Sequence, residues 1–125
     1  MNKDDLVQEI GTMLVQDSKI SSREWQHLVM VAQLMELSAK VNGFAYQGSG
    51  DAVPTSPGNP KIPMKFKELR DAMRDPGKEP WKACLVRIDS SSGEISLDFE
   101  YDHPEKWLIN PATVKKMAET LRPPR

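Results

Sequence analysis

The chain has 125 residues, 38% of them hydrophobic and 28% charged, which suits an ordinary globular protein of about one domain. Its net charge of −1 gives no case for a nucleic-acid or anionic-membrane partner, and one cysteine permits neither an intrachain disulfide nor a cysteine-based zinc site. The charge is uneven, however: residues 61–78 hold six Lys/Arg against three acids, while 89–106 hold six acids against Lys106 alone.

The opening residues, MNKDDLVQEI, carry acids where a secretory signal would be basic, and no apolar run nears the roughly 18 residues of a membrane span. The expectation is a cytoplasmic protein. In 3–16, Leu6, Ile10, Met13 and Leu14 recur at helical spacing, with Asp4 and Asp5 at the positive end of the helix dipole. Gly11 inside that helix weakens it by roughly 1 kcal/mol against alanine. Segment 22–37 is ambiguous. Leu28, Val31, Leu34 and Met35 fit a helix face, yet Leu28-Val29-Met30-Val31 fits a buried strand equally. Local signals lean to helix for 22–37 and to strand for 41–47.

Residues 47–63 contain three glycines and four prolines and read as a long, flexible loop, either mobile or a binding element. Next, Met64, Phe66, Leu69 and Met73 mark a short basic amphipathic helix, ended by Pro76-Gly77. Its bases alternate with Glu68, Asp71 and Asp75, which favours surface pairing over nucleic-acid contact. A strand over 81–88, the turn Asp89-Ser90-Ser91-Ser92-Gly93 and an alternating strand over 94–102 make a β-hairpin. Asn110 as N-cap, Pro111 at the first helical position and a stop at Pro123-Pro124 bound a terminal helix.

The second hairpin strand, EISLDFEYD, places Ile95, Leu97, Phe99 and Tyr101 on one face and Glu94, Ser96, Asp98, Glu100 and Asp102 on the other. Such a row is either a solvated face, with Lys82 as a partner across the hairpin, or a surface held for a basic partner. Asp98, Asp102 and His103 do not form a metal motif, since four residues of strand separate the two aspartates by roughly 13 Å. His27 and His103 have no nucleophile in a recognisable elbow, so nothing points to an enzyme, and no cofactor is expected. Trp25, Trp81 and Trp107 are expected to be at least partly buried, with Trp107 a candidate interface anchor. Met30, Met35, Met64 and Met73 read as core filling, and Cys84 as a small buried hydrophobe.

The run EPWKACLVRIDSSSGEISLDFEYD, with Pro80-Trp81 leading into the hairpin and Phe99-Glu100-Tyr101-Asp102 ending it, resembles the YezG-like immunity proteins of bacterial polymorphic toxin systems. The order of parts is similar too, from an amphipathic helix to Trp25 in a Glu-Trp pair and on to the hairpin. The proline-rich 47–63 and the Pro-Pro-Arg end depart from that pattern. The resemblance implies one α+β immunity-type domain over 1–125, with an antiparallel sheet of about four strands and about three helices. It also implies strands near 25–34 and 40–47. Functionally it implies no catalysis, but stoichiometric binding of a cognate toxin domain, most simply a nuclease, whose phosphate-attracting groove is basic. Glu94, Asp98, Glu100, Asp102 and Trp107 are then the expected contact residues. The alternatives are a non-inhibitory adaptor or chaperone for a secreted protein, and a small enzyme.

Overall fold

A computed structural model describes residues 3–22, 24–35, 38–74 and 76–123. In chain order they form α1 (Lys3–Gln16), α2 (Ser18–Ser21), β1 (His27–Leu34), β2 (Ala39–Tyr46), β3 (Ala52–Thr55), α3 (Lys61–Met73), β4 (Ala83–Asp89) and β5 (Ile95–Glu100). A 3-10 turn (Pro104–Trp107) and α4 (Val114–Thr120) complete them. The strands make one antiparallel sheet in the order β3-β2-β1-β4-β5, so the fold is α+β with five strands instead of about four. No helix among the described residues is long and apolar enough to cross a membrane.

Within the ambiguous segment His27–Leu34 is strand, as the resemblance implies and against the local lean to helix. β1 is the central strand and is buried on both faces: Leu28, Met30 and Ala32 enter one core cluster, while Val29 and Val31 enter another. A strand covered on both sides has no polar alternation, so its residues read like one side of a helix. Arg23, Glu36 and Leu37, within the same stretch, lie outside the described residues, as does Asp75 near the end of the basic helix.

α1 and α3 pack together on the first face, burying Leu6, Ile10, Leu14, Ile62, Phe66 and Leu69 against the sheet, with Trp81 at the edge of that core. Gly11 does more than weaken α1. It is buried, and a Cβ added there would overlap the Ile95 side chain, so its absence lets the helix approach β5. Gly43 works likewise inside the sheet, where a Cβ would run into the backbone of Val29 and Met30. Cys84 is fully buried, and burial pushes its thiol pKa up, as a packing residue requires. Met30 is buried and Met73 packs against the core, but Met35 and Met64 are 50% and 60% exposed, so those two do not fill it.

The segment 47–63 is not one long loop. It carries β3, an edge strand on β2, and α3 already begins at Lys61. Pro54 sits opposite Phe44, a place an edge strand tolerates because its other side makes no ladder bonds. The remainder is anchored by Asp17, which is 6% exposed. Its carboxylate accepts hydrogen bonds from Gly58 N at 3.0 Å and Asn59 N at 2.8 Å, and caps α2 by accepting from Lys19 N at 3.1 Å. Burial alone would raise the Asp17 pKa, yet these amides together hold it below the ordinary carboxylate value.

The terminal helix starts later than the sequence suggests. Asn110 caps a turn, its side chain accepting from Ala112 N and Thr113 N, and α4 begins at Val114. Pro124 and Arg125 lie outside the described residues.

Candidate partner-binding face

The second face of the sheet is covered by the C-terminal segment. Ile109, Met117 and Leu121 pack on Val29, Val31, Phe44, Tyr46 and Leu85. Side chains from β1 and β2 hold its main chain by donating to its carbonyls. Gln33 Nε2 bonds Pro104 O at 2.9 Å, Asn42 Nδ2 bonds Ile109 O at 3.1 Å, and Tyr46 Oη bonds Ala118 O at 2.8 Å. The cover stops short of the β4–β5 corner. There a shallow depression of about 310 Å³ is lined by His27, Arg87, Asp89, Glu94, Ser96 and Pro123, among others.

The hairpin turn builds one end of this corner. Asp89 Oδ1 accepts from Ser91 Oγ at 2.7 Å and Ser91 N at 2.8 Å, while Gly93 adopts φ +72°, a left-handed conformation that suits glycine. The Ser91 hydroxyl, with its amide, holds the Asp89 carboxyl below its usual range. His27 Nδ1 lies 4.0 Å from the other Asp89 oxygen.

The strand register puts Ser96, Asp98 and Glu100 opposite Arg87, Leu85 and Ala83, on the same face as the C-terminal cover. The acids of the row are not equivalent. Asp98 is exposed and bonded by Arg87 Nη1 at 2.9 Å, a diagonal cross-strand pair. Glu100 receives Lys106 Nζ at 2.6 Å and accepts from the amides of Asp102 and His103 at 3.1 and 3.2 Å. The Lys106 bond first, and then these amides, depress its pKa to about 2. Glu100 therefore fixes the exit from β5 and is poorly placed to contact a partner. Glu94 and Asp102 are exposed and enter no ion pair among the described residues. Lys82, expected to face the row, lies 3.8 Å from Glu79 instead. Arg87 and Lys106 take the role expected of it, and only the register and the chain reversal after β5 reveal them.

Trp107 is half-buried against the second core cluster, with Lys106 Nζ 4.8 Å from its ring centroid. It is partly committed to holding the C-terminal segment. Trp25 is also half-buried and Trp81 fully buried.

Asp98, Asp102 and His103 are not gathered. Asp98 engages Arg87, and His103 pairs with Glu105 at 3.3 Å. Among the described residues no group of three or more His, Cys, Asp or Glu side chains could hold a metal ion. Along the basic helix, Lys65 bridges to Glu9 of α1 at 3.0 Å and Arg70 lies beside Asp71, in keeping with surface pairing. A larger depression of about 790 Å³ lies between the α1–α2 corner and residues 47–49, lined by Trp25, Gln26 and Gln47, with Glu24 the one charged residue among the described lining. That lining offers little chemistry beyond hydrogen bonding.

No protein-family model matches the chain, and no curated protein matches it.

Proposed function

We propose that this protein is a cytoplasmic immunity protein that binds a cognate bacterial toxin domain, a nuclease, and blocks it stoichiometrically. The observation that carries this reading is the uncovered β4–β5 corner. Asp89 and Glu94 line it with Arg87, Asp98 pairs with Arg87 along β5, and Glu100, Asp102 and Glu105 continue the acidic run with Lys106 at the far end of that edge strand. A nuclease groove must attract phosphates and is basic, so an acidic surface complements it, speeds encounter and discourages neutral partners. A stable complex of standard size buries about 800 Å² per partner, a modest share of this protein's 7386 Å² surface. The contact set favoured by the geometry is Glu94, Asp98 and Asp102, with Trp107 at the rim and Glu100 in a supporting role.

The test is calorimetric titration with the toxic domain encoded beside the gene, at two salt concentrations. The expected result is tight one-to-one binding that weakens as salt rises. In the double variant Glu94→Gln/Asp98→Asn, affinity should fall about tenfold or more while the melting temperature hardly moves. Unchanged affinity would place the interface elsewhere. Binding without protection of toxin-expressing cells would favour the adaptor reading.

A further inference from the structure

The sheet ends on β3 at one side and on β5 at the other, and the two edges are unlike. β3 has four residues, and Pro54 within it has no amide to donate. β5 has six residues and no proline. On its inner side Asp89 N donates to Glu94 O at 3.0 Å, just ahead of the strand. Antiparallel partners alternate, so Ser96 and Asp98 bond to Arg87 and Leu85 opposite them, while the amides and carbonyls of Ile95, Leu97 and Phe99 point away from β4. Those outward groups enter no hydrogen bond with described residues.

The chemistry of a strand added there follows from β5. Residues opposite Ser96 and Asp98 would form the close, non-hydrogen-bonded pairs, with their side chains on the charged face beside Asp98. Residues opposite Ile95, Leu97 and Phe99 would turn to the α1–α3 face, where those side chains are only partly buried. On that face a depression of about 450 Å³, lined by Gly11, Val15, Trp25, Ile88 and Ile95 among others, offers apolar surface. A second copy of this chain is disfavoured by charge. Two copies of β5 could bond in antiparallel fashion only through Ile95, Leu97 and Phe99, which sets the row Glu94, Ser96, Asp98, Glu100 of one against the same row of the other. Like charges across a ladder destabilise it. A segment with Lys or Arg at alternate positions meets that row with opposite charge. The acids thus guard this edge against its own copies, as Pro54 guards β3, and leave it open to a basic strand. We propose that β5 is the docking edge for an extended segment of the partner, alternating Lys or Arg with apolar residues, which pairs with it as a further strand. This rests on the partner-binding reading above and specifies how the partner is held.

The test is amide exchange followed by NMR, in the free protein and with the toxic domain encoded beside the gene. In the free protein the Ile95, Leu97 and Phe99 amides should exchange faster than those of Ser96 and Asp98. At saturation with the domain, the first three should slow by roughly tenfold or more and the other two far less. Leu97→Pro, which removes an outward amide but no bond to β4, should weaken binding by roughly tenfold or more. Asp98→Lys, on the exposed side of the strand, supplies a second variant should Leu97→Pro unfold, and it too should weaken binding. A domain that binds without slowing those three amides overturns the edge proposal and leaves the immunity reading standing. If the domain does not bind, the immunity reading fails, and the peptide acetyl-Lys-Val-Lys-Val-Lys-Val-amide decides the edge. Slowing at the three alternate amides then sustains the proposal with another partner, and its absence overturns it. Equal slowing by acetyl-Lys-Lys-Lys-Val-Val-Val-amide, which keeps the charge and loses the alternation, overturns it as well. So does slowing that grows with the concentration of the protein alone, which would make a second copy the occupant.

Discussion

The two faces of the sheet are covered in different ways. On one, α1 and α3 bury long aliphatic and aromatic side chains, from Leu6 and Ile10 to Phe66 and Leu69, over the whole of β1 and β4 and part of β5. On the other, α4 has only seven residues, too few to be stable alone, and fully buries only Met117, with Ile109 and Leu121 buried on either side of it. The deficit is offset by directional bonds from Gln33, Asn42 and Tyr46 to main-chain carbonyls. Apolar cover is held by area and tolerates no gap, whereas tethered cover is held at points and ends where the tethers end. That is why the second face can leave β4–β5 open and charged while the first cannot.

Cutting a side chain from the first face should have the largest effect. Phe66 is fully buried in the α3–sheet contact. Phe66→Ala should cost about 3–5 kcal/mol, from lost transfer energy and the cavity left behind, read as a fall in the urea midpoint. A loss below about 1 kcal/mol would mean that the first face is not the main source of stability.

Asp17→Ala comes next. It removes the α2 cap and leaves the amides of Gly58 and Asn59 without their acceptor, so about 2 kcal/mol is expected in denaturant titration. The sign of its pH dependence follows from a folded-state pKa below the ordinary value of 3.8. The stabilisation is present above about pH 4 and is lost as pH falls through the depressed folded pKa. Asp17→Asn should flatten that acid limb, and an unaltered limb would show that Asp17 does not anchor the 56–60 segment.

That anchor also marks where the sequence stopped being legible. The helix α1, the hairpin and the acidic alternation along β5 are readable because each has one wet face, which imprints a period on the residues. β1 has none, and only the resemblance separated strand from helix there. β3 is masked by Pro54 in a stretch of turn-forming residues, and an edge pairing of four residues leaves no period to find. The row Glu94, Asp98, Glu100 and Asp102 was visible, but its internal partners were not. Arg87 meets Asp98 only through the register, and Lys106 meets Glu100 only because the chain reverses after β5.

The smallest effect belongs to a single tether. Tyr46→Phe keeps the ring and its packing beside Phe44 but removes the hydroxyl that bonds Ala118 O. The expected global cost is about 1 kcal/mol, the usual net worth of one hydrogen bond. The local cost should be larger in proportion, because α4 has little else to hold it. Amide exchange at Met117 and Leu121 should therefore quicken by more than exchange in β1. The wild-type hydroxyl offers the same test by pH. Burial, partly countered by Arg122, raises its pKa from 10.0 to about 12, so the folded state holds that proton more tightly than the unfolded chain. The tether's contribution is complete below about pH 10 and is lost as pH rises towards 12, a limb that Tyr46→Phe should remove. If exchange quickened equally in β1 and α4, the two faces would unfold as one, and the second cover would be no looser than the first.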